Sequence, residues 1–257
     1  MKHDFIDKYA ELDTVIHRLD PRVKIVSFIS FVFFVIFTSP SEFLNFLFYF
    51  ILIFNVILIS KVPLKFVFKR SLVIIPFVLF VAIFIPFFKQ GEVAGSYSFG
   101  SLHLTLSYTG LIILWNVLVK SWLSVFGMLL LASTTKFPRL LKGFEKLKMP
   151  ELMVMVLSFF YRYVFVLMDE AMRMKRARDS RSFGGCRVRQ TRSIGNIIAT
   201  LFVRAYERGE RVYAAMVSRG FSGRIETLGE SGVGRLDLCF LVLFMSCLVV
   251  IKLGILW

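Results

Sequence analysis

Long apolar runs separated by short polar breaks organise this chain. Residues 23–39 and 43–60 are two such runs, joined only by TSPSE, and each is long enough to cross a hydrocarbon core as a helix. With no Lys or Arg in the turn, they read as a tight transmembrane hairpin. A third run, 71–88, contains Pro76 and Pro86, which predicts a kinked span whose freed carbonyls are satisfied by neighbouring helices. The Gly- and Ser-rich segment KQGEVAGSYSFGS reads as a connection into a fourth run, 104–132, whose one charge is Lys120. Further apolar runs fill 151–168 and 236–257.

On either side of the run 151–168 the pattern changes from solid to periodic. In KFPRLLKGFEKLK, Phe137, Leu140, Leu141, Phe144 and Leu147 recur at helical spacing with lysines opposite. From Ile194 onward a second stripe runs through Ile197, Ile198, Leu201, Phe202, Ala205, Val212, Tyr213, Met216 and Val217. Arg204, Glu207, Arg208 and Arg211 fall on its polar face, and Glu207 and Arg211 are four apart, a pairing worth about 0.3 kcal/mol. Such helices lie along a membrane or against other helices.

Charge then orients the spans. The chain is 57% hydrophobic with a mean hydropathy of +0.72, which makes it an integral membrane protein. Its 32 Lys and Arg against 17 Asp and Glu must lie outside the bilayer. The connections after spans one and three are nearly free of basic residues, whereas the N-terminal segment, the stretch KVPLKFVFKR and everything after span four are basic. The positive-inside rule therefore puts the N-terminus in the cytoplasm. If 151–168 also spanned, residues 169–235, with fourteen Lys and Arg against seven Asp and Glu, would face outward. The better expectation is one long helix from Glu151 to about Arg181 on the cytoplasmic side, with Arg162 breaking its apolar run and the last run spanning outward. The polar opening segment should lie at the membrane surface, and no cleaved signal peptide is read in it.

The reading is thus an all-α integral membrane protein with about five transmembrane helices and long amphipathic helices on its cytoplasmic face. Residues 1–135 would form an N-terminal transmembrane domain of four spans, 136–235 a cytoplasmic-side domain, and 236–257 a C-terminal transmembrane helix.

Candidate chemistry is sparse. There is no GxxxxGK[ST] phosphate loop, so the chain is not itself an ATPase and is read as non-catalytic. His3, His17 and His103 are scattered and Cys186, Cys239 and Cys247 form no CxxC pair, so neither a metal site nor a cofactor is assigned. No nucleic-acid signature accompanies the basic balance. The first three spans contain no Asp or Glu, which argues against a self-sufficient ion-coupled carrier and puts any energy source on another polypeptide.

What stands out instead is a phrase the chain repeats. ARDSRSFGG from Ala177 and AMVSRGFSG from Ala215 share A-x-x-S-R-x-F-x-G, and both follow helical stretches and end in glycine. Arg181 and Arg219 could simply complement the helix dipole, worth about 0.3 to 1 kcal/mol. Alternatively each is a docking pin whose planar fork grips a carboxylate, its loss costing about 2 to 5 kcal/mol.

These parts resemble the transmembrane T component of energy-coupling factor importers, in its CbiQ-like cobalt or nickel branch. The resemblance is carried by HRLDPRVK (17–24), the stretch from LASTT to KLKMP (131–150), EAMRMKRARDSRSFG (170–184) and ERVYAAMVSRGF (210–221). It implies that Ser180, Arg181 and Ser182, and Ser218, Arg219 and Gly220, insert into two ATP-binding-cassette subunits. Both copies carry Ser where the family usually has Ala, and Arg178 offers a rival register for the first motif, against which the internal repeat favours Arg181. The resemblance also implies a separate substrate-binding membrane subunit and a location in the cytoplasmic membrane.

Overall fold

A computed structural model describes residue 10 and residues 12–40, 42–85, 93–99, 102–181, 187–221, 223, 232 and 234–253. These residues form two compact units, one drawn from 144–230 and the other from 4–143 and 231–257.

The second unit opens with a helical turn, α1 (Val15–Arg18), and then α2 (Pro21–Ile36). Asp20 caps α2 by accepting the Arg22 N–H at 2.9 Å, and Pro21 starts the helix where its missing N–H costs nothing. After a turn comes α3 (Phe43–Ser60), followed by the short helices α4 (Leu64–Leu72) and α5 (Ile75–Ala82). A β-hairpin of β1 (Val93–Phe99) and β2 (Leu102–Ser107) leads into α6 (Tyr108–Thr134). The unit closes with the first part of α7 (Phe137–Lys146) and with α10 (Arg235–Leu253).

Helix α6 is the hub of this unit, packing on α2, α3, α4 and α5, and α2 packs on both α6 and α10. The inward residues Phe28, Phe31 and Val35 of α2 are fully buried. Phe31 meets Tyr49 of α3 edge-on at 6.0 Å, and Phe28 lies 6.2 Å from Phe244 of α10. Gly127 of α6 lets Phe31 approach, since a Cβ there would meet its Cδ1 at 3.0 Å. The start of α10 is tied to the start of α2 by one carboxylate: Asp237 accepts the Asp20 N–H at 2.8 Å and the Gly234 N–H at 2.7 Å. The outward faces of α3, α5 and α10 carry exposed Leu47, Phe77, Phe80, Leu243 and Val250, the apolar exterior of an integral membrane protein.

The structure revises two of the expected spans. Residues 71–88 do not form a single kinked helix: Val73 and Ile74 break the run ahead of Pro76, and the basic stretch before it is itself mostly helix α4. Proline lacks an N–H and clashes with the preceding turn, so the helix restarts with Pro76 in its first turn, where no bond is lost. Pro86 lies outside the described residues. The fourth run starts later than its apolarity suggested, because residues 102–107 pair antiparallel with β1 and α6 begins only at Tyr108. The Gly- and Ser-rich connection is therefore partly strand. Among the described residues four helices are long and apolar enough to cross a membrane: α3, α6, α10 and α8 (Glu151–Asp179) of the other unit. Helix α2, with 16 residues, rises about 24 Å and is shorter than that class.

The first unit contains α8 and α9 (Arg187–Val217), which pack on each other. The long helix expected from Glu151 is continuous to Asp179. It follows a turn in which Lys148 adopts φ 66° and the Met149 N–H bonds to the Phe144 carbonyl at 3.1 Å.

Candidate functional site: two exposed arginine helix ends

Both copies of the repeated phrase close a helix, and they do so with the same bonds. At the end of α8, the Ser180 N–H donates to the Arg176 carbonyl at 3.0 Å and its hydroxyl to the Ala177 carbonyl at 3.0 Å. At the end of α9, the Ser218 N–H donates to Ala214 and its hydroxyl to Ala215, again at 3.0 Å each. A serine that bonds back to the preceding turn satisfies a carbonyl that would otherwise lack a partner at a helix end. The next N–H continues the parallel: Arg181 donates to Arg178 and Arg219 to Met216, both at 3.0 Å.

Past Arg219 the backbone turns left-handed at Gly220, φ 81°, a conformation that glycine adopts without steric cost. Its N–H donates to Val217 at 3.0 Å and the Phe221 N–H to Met216 at 3.1 Å, the pair of bonds that ends helices of this kind. Ser182, the counterpart of Gly220, lies outside the described residues. Ser180, Arg181, Ser218, Arg219 and Gly220 are all exposed.

The three arginines differ in what they touch. Arg178 is half-buried and gives both Nε (3.0 Å) and a terminal nitrogen (2.7 Å) to one carboxylate oxygen of Asp179. Its counterpart in the second copy is Met216, which carries no charge. Arg181 and Arg219 form no ion pair among the described residues, so each planar fork remains available.

One residue passed over by the sequence reading organises the pair of helices behind these tips. Glu170 of α8 accepts from Arg204 of α9 and pairs with Arg173 at 2.7 Å. Lying past the apolar part of α8, its carboxyl is held below the usual glutamate range, chiefly by the Arg204 hydrogen bond and further by the Arg173 charge. The 34 positions that separate Glu170 from Arg204 hide the pair from any local pattern. The Glu207–Arg211 pair does form, at a loose 3.7 Å between exposed side chains.

The apolar stripe of α9 proves to be two faces. Ile197, Leu201, Ala205, Val212 and Met216 are half-buried, while Ile198, Phe202, Tyr213 and Val217 are exposed. Among the described residues no group of His, Cys, Asp or Glu could hold a metal ion.

The CbiQ family, described as cobalt transport proteins, matches residues 13–228. Among curated relatives, an uncharacterised protein of Methanocaldococcus jannaschii is 27% identical over 98% of this chain and 88% of its own length. The energy-coupling factor transporter transmembrane protein EcfT of Streptococcus equi is 30% identical over 85% of this chain and 83% of its own length. A protein named as a putative fused cobalt transport protein CbiMQ, from Methanocorpusculum labreanum, is 27% identical over 76% of this chain, which spans 33% of that longer protein. With the family match running through both arginine helix ends, this chain belongs to the CbiQ family, as a CbiQ-like T component of the energy-coupling factor class.

Proposed function

We propose that this chain is the coupling subunit of an energy-coupling factor importer in the cytoplasmic membrane, docking two ATP-binding-cassette ATPases through Arg181 and Arg219. Residues 136–235 would carry the coupling helices, with Ser180, Ser182, Ser218 and Gly220 shaping the two tips. ATP-driven motion would pass through α8 and α9 to a separate substrate-binding membrane subunit. The observation that carries this reading is the repetition of one backbone geometry at two helix ends, each presenting an exposed arginine with no ion-pair partner among the described residues. Dipole complementation alone requires neither the repeated serine bond nor a free fork. The engagement of Arg178 with Asp179 favours Arg181 as the first pin.

Cobalt or nickel is the proposed cargo, because the family and the fused CbiMQ relative are both named for cobalt transport. Several relatives carry the EcfT name with no metal in it, which favours a second reading in which vitamin-type subunits are served. In either case substrate selection would lie on another subunit.

Charge reversal tests the docking. Tagged Arg219→Glu is expected to lose its co-purifying ATPase, since a buried carboxylate left without its arginine costs about 2 to 5 kcal/mol, a roughly 30- to 5,000-fold weaker contact. Retention of ATPase at the parent level by both Arg181→Glu and Arg219→Glu would sink the proposal.

A further inference from the structure

Two lysines of the larger unit, Lys24 and Lys120, donate to backbone carbonyls of a neighbouring helix end. Lys24, in the first turn of α2, is 1% exposed. Its ammonium donates to the carbonyl of Thr134 at 3.1 Å, to the Thr135 hydroxyl at 3.2 Å and to the His17 carbonyl at 3.2 Å. Thr134 is the last residue of α6. Lys120, on α6, donates to the carbonyl of Ile36 at 3.0 Å and to that of Thr38 at 2.7 Å. Ile36 is the last residue of α2. Each helix thus gives a lysine to the C-terminal carbonyls of the other.

The spacing makes this a matched pair. Lys24 and Ile36 are separated by about 18 Å of helix rise, and Lys120 and Thr134 by about 21 Å. Two antiparallel helices with nearly equal separations between lysine and C-terminus can close both contacts at once. Carbonyls at a helix C-terminus have no partner within the helix and lie at the negative end of its dipole, so an ammonium satisfies both needs. The α2 end takes up a second cation, Lys252 of α10, whose Nζ sits 5.7 Å and 5.8 Å from the rings of Phe34 and Phe37. The usual readings of a lysine in a span, snorkelling to the interface or lining a substrate path, leave these bonds unexplained.

We propose that Lys24 and Lys120 form a reciprocal clasp that joins α2 and α6 into one rigid member of the transport frame. ATP-driven motion of the coupling helices is then delivered to the substrate-binding subunit instead of being absorbed between these two helices. The delivery step rests on the function proposed above, whereas the clasp itself does not.

Spin labels read the clasp directly. Phe33→Cys on α2 and Trp115→Cys on α6 are exposed sites for labelling, on a background with Cys186, Cys239 and Cys247 replaced by Ser. The full complex, purified through a tag on this chain and placed in nanodiscs, should give one narrow distance distribution that ATP with vanadate leaves unchanged. Lys120→Met, which removes the more accessible cap, should at least double its width, and Lys120→Arg should restore it. An unchanged width in Lys120→Met overturns the clasp, as does a parent distribution that itself doubles in width with nucleotide. The same parent preparation shows whether an ATPase co-purifies. Its absence would count against the coupling role alone, because the label widths still judge the clasp.

Discussion

Arg178 and Arg181 stand three positions apart, yet only one of them is free to act on a partner. The first shares its fork with Asp179 and the second has no ion pair among the described residues. Reversing Arg178 should therefore release far less ATPase than reversing Arg181, and a pull-down comparing the two variants at equal expression checks this. The repeated phrase favoured Arg181, but the engagement of Arg178 was not legible, because an ion pair between adjacent side chains depends on rotamers that no pattern encodes. Glycines make the same point in opposite directions. Gly143 of α7 has no room for a side chain: a Cβ would lie 2.8 Å from Ile25 Cδ1 and 3.1 Å from Pro21 Cβ. Overpacking of about 1 to 3 kcal/mol outweighs the helix-propensity gain, so Gly143→Ala should lower the melting temperature of the purified chain. At Gly209 of α9 nothing lies within 4 Å, and Gly209→Ala should raise it by the equivalent of about 0.5 to 1 kcal/mol.

Among elements, the pairing of α8 with α9 rests on the Glu170 cluster. A carboxyl held down in the folded state gives stability that is complete above the ordinary glutamate value of about 4.3 and is lost as pH falls through the lower folded value. Amide exchange around Arg204, corrected for intrinsic rates, should thus be constant from about pH 8 to 5 and rise only in stronger acid. Glu170→Gln should loosen the same amides severalfold at neutral pH. The extent of α8 and the C-terminal end of α9 were legible, since solid apolarity and a stripe of helical period are local properties, while α9 starts at Arg187, ahead of the stripe read from Ile194. The break at Val73–Ile74 and the strand at 102–107 were not legible. Apolar content sets where a chain can be buried, whereas proline position and strand pairing set where a helix can run.

For the whole molecule, charge asymmetry yields a topology that is open to experiment. With the N-terminus and residues 169–235 proposed on the cytoplasmic side, Gly195→Cys on a cysteine-free background should react with an impermeant label only in inside-out vesicles. Reaction confined to intact cells would overturn that arrangement. A stand-alone carrier is the alternative of a different class, and the chain reconstituted without partners is expected to show no cobalt or nickel flux. The spans that carry no Asp or Glu, and the energy source assigned elsewhere, belong to this same scale.

Composition, run length and the repeated A-x-x-S-R-x-F-x-G phrase were enough to establish an integral membrane protein, its long helices and the two arginine tips, because each is written in residues close together in sequence. The tertiary structure alone decided which half of the α9 stripe is covered, that Glu170 ties α8 to α9, and that Lys24 and Lys120 each cap the other's helix. Those contacts join residues from 34 to 110 positions apart. They form only when packed helices bring a charge to a group that would otherwise be left without a partner, and no period along the chain records that meeting.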